Sequence, residues 1–456
     1  MLKTKKYDLG NGKLPSLMFA MAMPSIVAQI INILYNMVDR IYIGHIKGIG
    51  ADALTGVGVA FPIVVFISAF SAFVGAGGAP LSAIFQGKGN HDRAEKILGN
   101  GVSMLIFFSA ILMIVFYAFK RPLLFAFGTS KNTYSYASDY ISIYLIGTLF
   151  VELSMGLNTY IIAQGESVTG MLSVLIGAIA NIVLDPIFIF VFGLGVRGAA
   201  IATVISQFLS ALWVVAFLAG RRAVLRIKIQ NLKPDLKIIG SIAALGISPF
   251  VMRSTESFVS IALNSGMQRY GGDVYVGSIT IMQSVMQLFS APLGGFTQGM
   301  QPIISYNFGA GNFARVKKVY KSMITICLTF SFLGTATAII FPKIYAGFFT
   351  TDYKLIELVG QKMPIFMAGM LIFGAQQAIQ TTFMALGQAK ISLFIATLRK
   401  IILLIPLALI LPNFFGTTGV YISEPISDII SVLTASVLFL LNIKKILTRD
   451  TLDKIK

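Results

Sequence analysis

The chain has 456 residues, of which 56% are hydrophobic and only 12% are charged, and its mean hydropathy is +0.82. This composition excludes a soluble globular domain and predicts a membrane protein. The single cysteine, Cys327, lies in an apolar stretch and excludes an intrachain disulfide. The net charge of +18 would suit a nucleic-acid partner, so the position of each basic residue has to be considered.

Apolar stretches long enough to cross a bilayer recur along the whole chain. A helix needs about 20 apolar residues to cross the hydrocarbon core. The first stretch is too long for the apolar part of a cleavable signal and is expected to remain as a helix. The sequence predicts an all-α polytopic membrane protein with twelve transmembrane helices at 15–45, 55–85, 97–119, 138–162, 171–192, 198–219, 240–264, 275–305, 322–342, 363–386, 391–411 and 419–442.

The basic residues are distributed unequally between the two sides of the membrane. Of the 36 Lys and Arg, 23 fall at the termini and in the even-to-odd connections, nine fall in the opposite loops, and four lie inside predicted helices. An excess of Lys and Arg marks the cytoplasmic side. Both termini and the basic 220–239 segment are therefore expected in the cytoplasm of a cell whose inner membrane holds the protein, and the charge needs no nucleic-acid partner.

The two halves of the chain are repeats of each other. Gly87-Lys88-Gly89-Asn90 follows helix two, and Gly309-Ala310-Gly311-Asn312 follows helix eight at an offset of 222 residues. Six helices per half require a pseudo-twofold axis along the membrane normal, with a cavity between two six-helix bundles. The predicted domains are an N-terminal lobe (1–219), a basic cytoplasmic linker (220–239), a C-terminal lobe (240–442) and a cytoplasmic tail (443–456).

Acidic residues inside the predicted helices are candidates for function, because burying an ionisable group in a bilayer is costly. Helix one carries Asp39, and helix five carries Asn181 and Asp185, which are four residues apart and share a face. At about 1.5 Å per residue, Asp185 lies roughly 21 Å from the inner side and Thr203 of helix six about 8 Å from the outer side, so their levels coincide. These four residues are predicted to cluster in the outer half of the N-terminal lobe.

A second set of polar and methionine residues is predicted to line a substrate cavity. Three amides precede Asp39 on one face of helix one, and others lie on helices six, eight and ten. Methionine offers an adaptable surface to varied ligands, while packing within the lobes is the alternative for these residues. The set comprises Gln29, Asn32, Asn36, Glu152, Gln207, Glu256, Met282, Gln283, Met286, Gln287, Gln376 and Gln380.

The acids of the C-terminal half invite a structural interpretation. Glu256 is three residues from Arg253, so an ion pair between them is as well supported as a coupling role. Glu424 and Asp428 lie toward the outer end of helix twelve and are expected to be solvated or paired with serines.

Jointly, several of these motifs resemble the MATE (multidrug and toxic compound extrusion) transporters over essentially the whole chain. The carriers are Val38-Asp39-Arg40 with Gly44, the glycine-rich loops of both halves, Asn181 and Asp185-Pro186, and Gly198-Ala199-Ala200 followed by Ala202-Thr203. The resemblance implies a cation site formed by Asp39, Asn181, Asp185 and Thr203, with the Ala199 carbonyl as an extra ligand for H⁺ or Na⁺. Other members use acids on helices seven and ten, but helix ten has none here.

The expected function is cation-coupled antiport that exports small amphipathic, often cationic compounds, without any cofactor besides the coupling ion. The expected partners are small-molecule substrates and lipid, and the chain is expected to act as a monomer. One alternative is a lipid-linked oligosaccharide flippase of the same superfamily, which would line its cavity with cations. Another is an intramembrane enzyme, which is disfavoured because the chain has only two histidines and no HExxH pair.

Overall fold

The computed structural model describes residues 7–127, 129–131 and 133–454, and every regular element in these ranges is a helix. Ten helices are long and apolar enough to cross a membrane, and two bent pairs bring the number to twelve, which confirms the predicted count. The spans are α1 (Leu14–Gly44), α2 (Gly50–Gly87), α3 (His91–Ala118), α4 (Tyr134–Ile146 and Thr148–Ala163), α5 (Ser167–Val191), α6 (Val196–Ala219), α7 (Leu236–Gly271), α8 (Asp273–Gly309), α9 (Phe313–Ile340), α10 (Tyr353–Phe366 and Met370–Ala385), α11 (Ala389–Ile410) and α12 (Pro412–Ile446).

Two spans predicted as continuous helices are broken. α4 bends by 60° at Gly147, and α10 bends by 50° just before Met370. A β-carbon on Gly147 would lie 2.6 Å from the Val204 side chain of α6, and one on Gly369 would lie 2.6 Å from the Asp428 side chain of α12. The two glycines are 222 residues apart, so the break is part of the repeat and lets a neighbouring helix approach it closely.

The lobes are in direct backbone contact at the end of the spans that carries the chain termini and the linker. A β-carbon on Gly87 of α2 would overlap the Tyr306 carbonyl oxygen of α8, and one on Gly309 of α8 would overlap the Ile84 carbonyl oxygen of α2. Each contact is the other displaced by 222 residues. Only glycine permits such an approach, so these two glycines close the lobes together on this face.

The two ends of the chain reinforce this contact. The Asn307 side chain of α8 donates a hydrogen bond to the Leu9 carbonyl oxygen (2.8 Å), and Leu9 is buried. The Lys88 side chain, which follows α2, donates a hydrogen bond to the Leu452 carbonyl oxygen of the C-terminal helix Arg449–Asp453 (2.8 Å). The N-terminal segment is therefore held by the C-terminal lobe, and the C-terminal tail by the N-terminal lobe.

Gly87→Ala is expected to separate the lobes on this face, because the added methyl group cannot share space with the Tyr306 carbonyl group. Spin labels on exposed His91 and Ala314 should report a longer distance in the variant than in the parent protein. Gly240→Ala is the matched control, because a β-carbon there meets nothing within 4 Å. Equal distances in all three proteins would contradict the proposed role of Gly87.

Candidate functional site

A cavity of about 800 Å³ lies between the lobes and is lined by both. Polar side chains from α1, α5 and α6 form one wall, and side chains from α7, α8 and α11 form the other. The structure places nine of the residues predicted for the cavity or for the cation site on its walls. They are Gln29, Asn32, Asn181, Thr203, Gln207, Glu256, Gln283, Met286 and Gln287.

The other residues predicted for the cavity do not face it. Asn36 is exposed on α1, and its side chain donates a hydrogen bond to the backbone of its own helix. Glu152 and Met282 have no exposed surface, and Gln376 and Gln380 are 2% and 4% exposed. The sequence pattern gave the face of each helix but not its rotation against its neighbours, so polar residues packed inside a lobe were grouped with those facing water.

The two aspartates predicted for the cation site come together beside this cavity. The carboxyl groups of Asp39 on α1 and Asp185 on α5 lie within hydrogen-bonding reach of each other. The Asn181 amide donates a hydrogen bond to Asp185 Oδ1 (3.2 Å). Among the described residues, Asp39 Oδ1, Asp185 Oδ2 and Asn181 Oδ1 are buried oxygens without a hydrogen-bond partner. Three oxygens are thus available to a cation or to a proton.

Local backbone features bring α5 and α6 together here. Pro186 follows Asp185 directly, and the chain then forms a π-helical turn from Ile187 to Val191, since proline removes one backbone donor. A β-carbon on Gly198, at the start of α6, would lie 2.6 Å from the Phe188 backbone of that turn. This close approach positions the first turns of α6 against the end of α5.

Thr203 reaches the edge of the cluster without joining the aspartates directly. Its hydroxyl group donates a hydrogen bond to the Ala199 carbonyl oxygen one turn earlier (3.0 Å). Thr203 faces the cavity, whereas Ala199 is completely buried. Both oxygens that the family resemblance suggested as extra ligands are therefore adjacent, and each already has the other as a partner.

Two tyrosines near the aspartates were not predicted from the sequence. Tyr140 on α4 is within hydrogen-bonding reach of Thr203, and Tyr35 on α1 is within reach of Asn36; both lie close enough to Asp39 for its charge to act on them. Their hydroxyl groups add polar atoms to an otherwise apolar surround. A signal was present, because Tyr140 recurs at Tyr144 with the four-residue spacing that keeps both on one helix face.

The expectation that Glu424 and Asp428 are solvated or paired with serines is wrong. Both are buried, and the Arg399 guanidinium group contacts Glu424 Oε1 at 3.1 Å and Asp428 Oδ1 at 2.6 Å. Arg399 also lies over the Phe373 ring, 4.4 Å from its centroid. The cluster is an internal ion network that joins α10, α11 and α12.

The expected ion pair between Arg253 and Glu256 is also not formed. Glu256 instead contacts the Lys400 ammonium group at 3.2 Å, and its side chain is 63% exposed. Lys400 is reached because α11 forms a π-helical turn from Leu398 to Leu404, which directs consecutive Arg399 and Lys400 side chains into the lobe. Helical spacing on α7 alone could not reveal this partner on α11.

Comparisons with known proteins agree with this architecture. The MatE family model matches residues 24–187 and 250–410, one segment in each half. Multidrug export protein MepA from Staphylococcus aureus (strain NCTC 8325 / PS 47) is 25% identical over 439 residues, which cover 96% of each chain. MepA from Staphylococcus haemolyticus (strain JCSC1435) is 24% identical over 419 residues, which cover 92% of this chain and 91% of the relative.

Solved structures show the same fold. An outward-facing multidrug resistance MATE family transporter of the MOP superfamily superimposes with a TM-score of 0.90 at 21% identity, over 98% of this chain and 99% of its own. A MOP superfamily transporter from Pyrococcus furiosus gives the same TM-score and identity, over 98% and 100%. Because the family model matches most of the chain, with one segment in each repeat, this protein belongs to the MatE family of membrane transporters and is not an enzyme.

Proposed function

We propose that this protein is a cation-coupled antiporter that exports small amphipathic compounds, often cationic, by alternating access between its two lobes. The observation that carries the proposal is the pair Asp39 and Asp185, with unpartnered oxygens, beside a cavity that both lobes line. The MepA relatives are named as multidrug export proteins, which supports a varied set of substrates.

The coupling ion would act by neutralising the carboxyl pair. Two carboxylates within hydrogen-bonding reach in a low-dielectric lobe repel strongly if both are ionised. A shared proton removes that repulsion, and so does Na⁺ held by both carboxylates with the free Asn181 oxygen. Loss of charge would let α1 repack near Pro24, which lies inside the helix. Repacking would narrow the cavity at Gln29 and expel its contents.

The cavity wall suits an amphipathic cation. Glu256 presents a largely exposed carboxyl group, and Gln283, Met286 and Gln287 supply adaptable, weakly polar contacts. Such a surface binds by shape and dispersion, with one acid for charge, and so tolerates varied ligands.

The flippase alternative predicts a cationic cavity, and three basic side chains, Arg253, Arg399 and Lys400, do line the wall. Two of them are neutralised, because Arg399 contacts Glu424 and Lys400 contacts Glu256. A wall balanced in this way is a poor binding surface for a pyrophosphate, so the exporter remains the better-supported function.

The direct test is transport by the wild-type protein in proteoliposomes, with a pH gradient and a Na⁺ gradient imposed separately and ethidium as the fluorescent cation. One of the two gradients is expected to drive ethidium against its concentration gradient, and collapsing that gradient with an ionophore should stop the movement. Equal ethidium movement with either gradient, with neither, and in protein-free vesicles would refute the proposal.

We also propose that the protein is a monomer in the inner membrane with both termini in the cytoplasm. The lobe contacts and the basic linker then lie on the cytoplasmic face. A cysteine replacing exposed Lys233 in a Cys327→Ser background should resist membrane-impermeant thiol reagents in intact cells and react after lysis. A cysteine replacing Lys131, in an opposite loop, is the positive control. Labelling at 233 in intact cells would reverse the topology.

A further inference from the structure

Glu152 on α4 is a buried acid that the proposed coupling site does not use. It has no exposed surface, and neither carboxyl oxygen has a hydrogen-bond partner within the ranges the structure describes. Ser71 on α2 presents its hydroxyl group and backbone amide to this carboxyl group, without forming a hydrogen bond of normal geometry. Thr148, one turn before Glu152 on the same helix face, contributes another buried hydroxyl group without a partner.

The surroundings of Glu152 disfavour a free carboxylate. An ionised side chain inside a membrane protein requires a counter-charge or several hydrogen-bond donors. From α2 the group that faces it is Ser71, and from α4 the titratable neighbour is Tyr144; in the described part of the chain no charged side chain acts on it. Its carboxyl group therefore needs a bound proton, for which one oxygen suffices, whereas Na⁺ requires about five or six ligands in analogy to other hard cations.

A path for that proton exists. Ser71 lies on the wall of the inter-lobe cavity, and Glu152 lies directly behind it. A serine hydroxyl group both accepts and donates a hydrogen bond. A proton from cavity water can therefore bind to Ser71 Oγ while the original hydroxyl proton passes to a Glu152 oxygen, which conserves both charge and proton number. The reverse transfer returns the proton to the cavity.

We propose that Glu152 is a second proton-binding site of the N-terminal lobe, separate from the Asp39–Asp185 pair and loaded from the cavity through Ser71. The inference deepens the proposed antiport, on which its transport role rests. Tyr35 and Tyr144 lie between the two acidic sites, since Tyr144 is within electrostatic range of both Tyr35 and Glu152. The two sites can thus hold protons independently, and a cycle that empties both carries one proton more than the carboxyl pair alone.

Infrared spectroscopy of the purified protein in lipid tests the site without any transport. A protonated-carboxyl C=O band is expected at neutral pH in the wild type, in Asp39→Asn and in Asp185→Asn, and it should be absent in Glu152→Gln. Ser71→Ala should keep the band but slow its hydrogen–deuterium exchange at least about tenfold, which corresponds to ~1.4 kcal/mol in the barrier. A spectrum unchanged in Glu152→Gln, or a band that Na⁺ alone removes, would overturn the assignment.

The ratio of protons to ethidium moved in proteoliposomes tests the role in the cycle. The ratio is expected to fall by one proton in Glu152→Gln while gradient-driven export continues. An unchanged ratio would overturn the second site and leave the proposed antiport intact, whereas full export in Asp185→Asn would refute the coupling pair and leave the infrared assignment intact. Loss of all export in correctly folded Glu152→Gln would also overturn the inference, because Glu152 would then be essential to the primary coupling step.

Discussion

Asp185→Asn is expected to abolish gradient-driven export while the protein still inserts and folds. Asp185 is completely buried and lies against Asp39, so an amide at this position removes both a buried charge and its repulsion. Folding should therefore be unimpaired and the variant at least as stable as the parent. The same change removes a titratable oxygen and a negative ligand, so the site can no longer gain and lose a cation during the cycle.

The measurement is ethidium transport at matched protein content in proteoliposomes, under whichever gradient drives the wild type. Asp185→Asn and Asp39→Asn should both fall to the rate of protein-free vesicles, and both should retain ethidium binding in detergent. Glu256→Gln is the comparison, because Glu256 is largely exposed, contacts Lys400 and has no acidic partner on α10. It should retain measurable export. Wild-type rates in the two aspartate variants would refute the coupling mechanism, and complete loss in Glu256→Gln would move it to the C-terminal lobe.

Arg399→Met is expected to cause the largest loss of stability of any single substitution considered. Arg399 neutralises Glu424 and Asp428 inside the lobe, where both acids are almost completely buried. Methionine keeps much of the volume but leaves two carboxylates without a counter-charge. Breaking a buried ion network by removing one partner costs about 3–5 kcal/mol. The loss is measured as a shift in the thermal unfolding midpoint of the purified protein.

Two further variants separate the charge effect from packing. Glu424→Gln and Asp428→Asn, added together to Arg399→Met, should recover much of the lost stability, because the remaining side chains are then uncharged. Arg197→Met is the matched control on the surface, since Arg197 contacts Asp139 at 3.0 Å while its side chain is 63% exposed, and an exposed pair contributes at most about 1 kcal/mol. Equal shifts in Arg399→Met and Arg197→Met would contradict the importance of the internal network.

Features that depend on local spacing could be predicted from the sequence alone. Apolar stretches of sufficient length predicted the twelve spans, because the bilayer imposes that length on each helix. The glycine-rich loops after α2 and α8, at Gly87 and Gly309, revealed the repeat. Asn181 and Asp185 share a helix face at any rotation, since four residues make about one turn. Matching depths then predicted that Asp185 and Asp39 would meet, and the structure brings them together.

Features that depend on how helices rotate and bend were decided by the tertiary structure. The break at Gly147 arises where α6 approaches, and no local pattern separates that glycine from one in a continuous helix. The π-helical turn of α11 changes the helical phase, so Lys400 reaches Glu256 where spacing suggested Arg253. Glu152 shows the same limit. Its charge and depth were evident from the sequence, but only the packing of α2 against α4 placed Ser71 between this acid and the cavity.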